Sequence, residues 1–189
     1  MSDRVDKREA ILTAALGLFA ERGFHGTAVP LIADKANVGA GTIYRYFPSK
    51  EAIVNELYLK WKADLGARIM AGFPIESPAR EQFHHFWQAM AVFAREQPQA
   101  FKFLEFHHHA PYLDAAAKEL ENQVLAPAFQ FFLHTSSQKI TKPLDAVLLG
   151  AIVWGAFVGL IRAAWEKRLD LDQSAIDAAE QCCWEAIRA

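Results

Sequence analysis

Two groups of residues in this sequence could do chemistry. The first is a set of carboxylates and imidazoles. Glu81 with His84, and Glu105 with His108, each follow the Glu-x-x-His spacing. On a helix that spacing puts both side chains on one face, and two such pairs are half of a di-iron carboxylate site. Glu56, Glu119 and Glu121 are the candidates for the remaining ligands. Thirteen glutamates and seven histidines in 189 residues generate roughly 0.5 such matches by chance, so two carry little weight. His107, His108 and His109 would leave a helix in three directions and cannot share one site. There is no nucleophile elbow, phosphate-binding loop or zinc-protease signature. Cys182 and Cys183 are adjacent, which makes core packing their expected role and gives no metal knuckle. The expectation is therefore no catalysis, no metal and no cofactor. The alternative is a helical di-metal carboxylate enzyme using Glu81, His84, Glu105 and His108.

The second group is contiguous: GTAVPLIADKANVGAGTIYRYFPSK, from Gly26 to Lys50. Thr27 is suited to cap a helix over 28–36. Pro30 falls in the first turn of that helix, where a missing N–H costs little. Leu31, Ile32 and Ala36 supply its apolar face, and Asn37-Val38-Gly39 reads as a tight turn. A second short helix over 40–46 opens on Ala40 and Gly41, small enough for close approach to a surface. Thr42, Tyr44, Arg45 and Tyr46 then offer hydroxyl and guanidinium donors, groups that bond phosphates and base edges. Ile43 and Phe47, four apart, are placed to face a core. Ser49 and Lys50 open the next helix, whose free N–H groups and dipole favour a phosphate. Helix, glycine-containing turn and second helix is the helix-turn-helix pattern. Taken singly, Tyr44 and Tyr46 also fit packed aromatics on a short helix; the spacing of the whole group weighs against that.

The elements that must hold these residues are helical. Apolar residues recur at helical spacing nearly throughout, with no alternating run of β-branched residues. Prolines and glycines punctuate about nine helices: 6–22, 28–36, 40–46, 50–70, 78–96, 98–108, 111–135, 143–168 and 173–188. Pro127 should kink the seventh. A composition shift near Gly72 suggests an all-α chain of two modules: a helix-turn-helix domain over 1–50 and a larger domain over 51–189, linked by helix 50–70. A hydrophobic content of 52% excludes a disordered chain. Charge is split: residues 1–50 carry seven basic and five acidic groups, and the rest thirteen and seventeen. An anionic partner therefore belongs at the N-terminal end. The longest uncharged apolar run, Ala146 to Ile161, has sixteen residues, short of the ~20 a membrane span needs, and reads as a buried helix. The N-terminus MSDRVDKREA has no apolar leader core. A cytoplasmic chain with no membrane partner is the expectation.

The 26–50 stretch resembles the TetR/AcrR family of bacterial transcriptional regulators. The resemblance spans roughly residues 8–60 and rests on GT-A-V-P-L-IA-D-K-A-N-V, then G-A-G-T-I-Y-R-Y-F and P-S-K-E-A. It implies that Thr42 and Tyr44 contact DNA and that Tyr46 and Lys50 hold phosphate. It also implies that Ala40, Gly41 and Arg45 lie at the base-reading face, and Thr27 is expected among the DNA-binding residues. Two departures stand out. Asn37 replaces the usual turn glycine, and Asn tolerates the left-handed conformation. Pro30 stands where a polar or basic residue often reaches a base, which shifts readout toward the second helix.

The same resemblance implies that the second half binds an effector and a second subunit. Its aromatic density suggests an apolar or aromatic effector. Phe86, Trp87, Met90, Phe106 and Phe157 are the expected walls, His107 the polar contact, and Trp61 a sensor on the linking helix. Ala151, Gly155 and Gly159 form a stripe of small residues suited to close helix packing, with Ile176, Cys183 and Ile187 on the last helix. Two such helices from each subunit would make a four-helix bundle. The expected whole is a ligand-responsive repressor: a homodimer on a palindromic double-stranded DNA operator, released by a small hydrophobic molecule.

Overall fold

A computed structural model describes residues 2–189, with side chains from Lys7 onward. The side chains of residues 2–6, part of the stretch read for a leader, thus lie outside the description. The described chain is all-α: nine α-helices, one 3-10 turn, and no strand beyond an isolated bridge between Thr141 and Arg188. The helices are α1 (Ser2–Arg22), α2 (Val29–Lys35), α3 (Ala40–Tyr46), α4 (Lys50–Met70) and α5 (Ala79–Glu96). There follow α6 (Pro98–Phe106), the 3-10 turn Ala110–Tyr112, α7 (Ala115–Ser137), α8 (Ala146–Trp165) and α9 (Gln173–Ile187). Pro98 opens α6, and α7 runs through Pro127.

The compact units do not follow chain order. One comprises residues 1–64 with 96–121, the other 65–95 with 122–189. The sequence suggested a cut near residue 50; here α6 and the start of α7 group with the N-terminal helices. The reason is packing at long range. Phe101 and Phe103 of α6 are fully buried with Ile11 and Phe19 of α1, and the Phe19 and Phe103 rings lie 6.2 Å apart. Ile32, Ile43, Phe47, Ile53 and Leu57 complete this core.

In the second unit α8 buries one stripe, Ala146, Leu149, Val153, Phe157 and Ile161, spaced three or four apart. Trp87 of α5 meets the edge of Phe157 at 5.1 Å, and Phe83 lies 5.2 Å from Trp184 of α9. Glu180 is buried here and accepts from Arg80, from His84 Nδ1 at 2.8 Å and from Gln88 at 3.1 Å. Asp145 caps α8 by accepting from the Val147 and Leu148 amides.

Two expectations change. The apolar run of α8 is buried along that stripe alone: Val147, Leu148, Ala151, Ile152, Gly155 and Gly159 face outward. Ile176, Cys183 and Ile187, expected on an intersubunit face, are buried inside their own unit. The outer face of α9 carries Ala178, Gln181, Cys182 and Glu185 instead. Helical phase groups residues correctly but does not say which neighbour covers them.

Candidate nucleic-acid interface

The corner between α1 and α2 sets the helix-turn-helix. Gly23 closes α1 at φ +66°, a left-handed angle that favours glycine, and a Cβ there would meet His107 Nδ1 at 3.1 Å. The chain turns back so tightly that the Thr27 hydroxyl, fully buried, donates to the Gly23 carbonyl at 2.8 Å. Thr27 therefore caps no helix and its side chain cannot reach a groove; the N-cap residue of α2 is Ala28, with no side-chain cap.

The turn from α2 to α3 follows the sequence reading closely. Asn37 adopts φ +54°. The Val38 amide bonds the Ala33 carbonyl at 3.0 Å and the Asn37 amide bonds Asp34 at 3.1 Å. These two bonds are a Schellman closure built on asparagine rather than glycine. Gly39 then caps α3 in extended geometry. Burial of Ile43 and Phe47 fixes the roll of α3. Ala40, Gly41, Tyr44 and Arg45 consequently face solvent, with Tyr44 57% exposed, while Thr42 and Tyr46 lie half-buried at its edges. A Cβ on Gly41 would meet no atom of the described residues within 4 Å, so the start of α3 is open to close approach. The Arg45 guanidinium lies 5.3 Å from the Tyr46 ring. This face offers hydroxyl and guanidinium donors and no carboxylate, which suits phosphate and base edges.

Lys50 is placed differently from expectation. Its ammonium donates to the Phe24 carbonyl at 2.7 Å and the Thr27 carbonyl at 2.9 Å, and lies 3.9 Å from the Phe24 ring centroid. Two of its three donors thus clamp the α1–α2 corner. Partial burial pulls its pKa down from the ordinary lysine value, against the raising effect of Glu51.

A second clamp comes from the segment after α6. His107 Nε2 donates to the Ala20 carbonyl at 3.0 Å. The Tyr112 ring stacks on Phe24 at 3.8 Å, and its hydroxyl bonds His25 Nε2 at 2.7 Å. Asn55 of α4 secures this strap: its amide donates to the Tyr112 carbonyl at 2.8 Å, and its carbonyl oxygen accepts from the Asp114 amide at 2.8 Å. Sequence reasoning missed Phe24, His25, Asn55 and Tyr112. Their partners lie 57 to 88 residues away, and no local spacing signals such pairs.

Comparison with known proteins bears on what this module is. Residues 11–57 match the family model for bacterial regulatory proteins of the tetR family, and 59–189 match the tetracyclin repressor-like C-terminal domain. The chain belongs to the TetR family of bacterial transcriptional regulators. It is similar to the HTH-type transcriptional regulator YhgD of Bacillus subtilis, 26% identical over 87% of this chain and 86% of that one. A TetR family protein of known structure from Vibrio parahaemolyticus is 30% identical, covers 97% of this chain and 99% of its own, and superposes with a TM-score of 0.76. The HTH-type transcriptional repressor KstR2 of Rhodococcus jostii is 41% identical over a shorter stretch, 34% of this chain and 31% of its own.

As a TetR regulator with a DNA-binding helix-turn-helix, the chain leaves little room for the enzyme alternative. Glu81 and His84 belong to the second unit, Glu105 and His108 to the first, and His84 is engaged by Glu180. Among the described residues no three His, Cys, Asp or Glu side chains gather as metal ligands. The expected effector contacts also divide. Trp61, Phe106 and His107 lie in the first unit, with the ring of His107 committed to α1; Phe86, Trp87, Met90 and Phe157 lie in the second. Trp87, Met90 and Phe157 are fully buried, whereas Phe86 is half-buried.

Proposed function

We propose that this TetR regulator is a repressor that binds a palindromic operator as a homodimer and leaves it when a small molecule binds. The observation that carries the reading is the roll of α3, which buries Ile43 and turns Ala40, Gly41, Tyr44 and Arg45 outward. Thr42 and Arg45 read base edges; Tyr44 and Tyr46 hold phosphate. The name of KstR2, whose matching stretch is the length of this module, supports repression. The dimer forms through the outer face of α8. Val147 is 61% exposed there, and a Cβ on Gly155 or Gly159 would meet no atom of the described residues within 4 Å. Small residues with no intramolecular packing role suit a second helix at close range. Phe86, Trp87, Met90 and Phe157 are the candidate effector contacts in the second unit, and Trp61 and Phe106 those in the first. A cytoplasmic location follows from the operator.

Fluorescence anisotropy on duplex DNA at fixed salt tests the base-reading assignment. Thr42→Ala and Arg45→Ala should each cost about 1–3 kcal/mol on the preferred sequence and relax preference at one position. Unchanged affinity and preference in both would overturn it.

A further inference from the structure

The outward face of α3 can meet DNA only at the angle at which the chain presents it. The bond from Lys50 to the Thr27 carbonyl, 2.9 Å, closes a ring of chain that contains all of α2 and α3. Whatever fixes the α1–α2 corner against the first turns of α4 therefore fixes the two short helices between them. A lysine alone is a loose fastening, because its ammonium sits at the end of a flexible four-carbon stem.

A second fastening joins the same two places through residues far along the chain, all within the first unit. Asn55, in the second turn of α4, is 7% exposed. Its Nδ2 donates to the Glu51 carbonyl at 2.9 Å and to the Tyr112 carbonyl at 2.8 Å, and its Oδ1 accepts from the Asp114 amide at 2.8 Å. Most of the bonds a carboxamide can make are thus in use. Tyr112 carries the connection on to the corner. Its ring stacks on Phe24 with centroids 3.8 Å apart and 19° between the planes. The Lys50 ammonium lies 3.9 Å from the centroid of the same ring, so both fastenings end on Phe24. Phe24 in turn stacks on Phe19 of the α1 core at 6.3 Å. The segment that bears Tyr112 is itself held. His107 donates to the Ala20 carbonyl, buried His109 donates through Nε2 to the Phe103 carbonyl at 2.6 Å, and the Tyr112 amide donates to the His109 carbonyl at 2.8 Å.

We propose that Tyr112 and Asn55 are positioning residues for DNA binding: without touching the DNA, they order the α1–α2 corner, and with it α2 and α3, before DNA arrives. The working part of Tyr112 is its ring. The hydroxyl bond to His25 is exposed, and water can replace it. Two consequences separate this role from ordinary packing. A corner left loose has to be ordered on the DNA, and that cost falls on every sequence alike. Coupling is also reciprocal: DNA must tighten the 107–114 segment by the factor by which that segment tightens DNA binding. A side chain that merely stabilises the fold does neither while the protein stays folded. The proposal rests on the helix-turn-helix binding DNA and is independent of which bases it reads.

The test uses the full-length protein and a mixed-sequence DNA duplex at low salt, where phosphate contacts support binding to any sequence. By fluorescence anisotropy, Tyr112→Leu should weaken binding about tenfold. Tyr112→Phe keeps the stack and should bind within about threefold of wild type. In the wild-type protein, hydrogen exchange of the 107–114 amides should slow about tenfold when the duplex is added. The Asp114 amide is the most direct reporter, because its partner is Asn55. Selection from a random duplex pool should return the same sequence for Tyr112→Leu as for wild type. Asn55→Ala should behave as Tyr112→Leu does; should it fail to fold, the two Tyr112 variants decide. Unchanged affinity for Tyr112→Leu, or exchange of 107–114 that ignores the duplex, overturns the proposal while leaving DNA binding standing. An altered sequence preference overturns it as well, since Tyr112 would then be a contact. Failure of the wild-type protein to bind the duplex overturns it together with the DNA-binding reading beneath it.

Discussion

The outer face of α3 and the outer face of α8 both present residues that their own chain does not need. Gly41 on the one, and Gly155 and Gly159 on the other, stand where an added Cβ would meet nothing among the described residues within 4 Å. Around them the chemistry diverges. α3 surrounds its glycine with Tyr44 and Arg45, donors that seek anionic or polar acceptors. α8 surrounds its glycines with Val147, Leu148, Ala151 and Ile152, which gain by leaving water. Equal openness thus points to two partners. A polar open face suits phosphate and base edges; an apolar one suits a second copy of the same helix.

The largest expected effect is on the apolar face. Gly155→Leu has room within its own chain, so the monomer should stay helical and folded, while the close helix approach is lost. Sedimentation velocity should show dissociation, and operator affinity should fall by about 100-fold or more as the linked second half-site is lost. Wild-type protein sedimenting as a monomer at micromolar concentration would contradict the assignment of α8.

A smaller effect separates Lys50 from the α3 donors. Lys50→Ala removes the clamp on the Phe24 and Thr27 carbonyls and should cost about 1–3 kcal/mol of stability, read by denaturant unfolding. Tyr44→Ala, at an exposed position, should change stability by less than about 0.5 kcal/mol while weakening DNA binding. If Lys50→Ala weakens DNA binding with no loss of stability, the ammonium belongs on a phosphate after all.

The smallest effect concerns His109. Burial lowers its folded-state pKa, so on acidification the unfolded chain takes up the proton first. The stability tied to this group is complete above the unfolded value, about 6.5, and is lost as pH falls from there through the folded value. Unfolding curves between neutral pH and mild acid should show His109→Leu losing less stability than wild type. Parallel curves would refute a neutral buried imidazole.

Much of the helix-turn-helix was legible because its signals are local. Ala40–Tyr46 and Lys50–Met70 match the expected bounds, set by Gly39 and Pro48 around them. Asn37 takes the left-handed angle for which its side chain was noted. Thr27 and Lys50 misled for a common reason: each is a good residue for the role assigned, but a backbone carbonyl of the α1–α2 corner engages it first. The packing of α6 with α1 was not legible, because nothing near Phe101 or Phe103 reveals it. Periodicity found the buried stripe of α9 but not its neighbour, so Ile176, Cys183 and Ile187 went to the wrong interface.

In the proposed dimer, two copies of α3, held at a set spacing by the α8 faces, read one DNA sequence. In vitro selection from a random duplex pool, using the full-length protein, tests it most directly. The expected result is enrichment of an inverted repeat with half-site centres about one helical turn apart, ~34–36 Å, and loss of that enrichment for Arg45→Ala. Recovery of single, unpaired half-sites, or no enrichment over the starting pool, would contradict it.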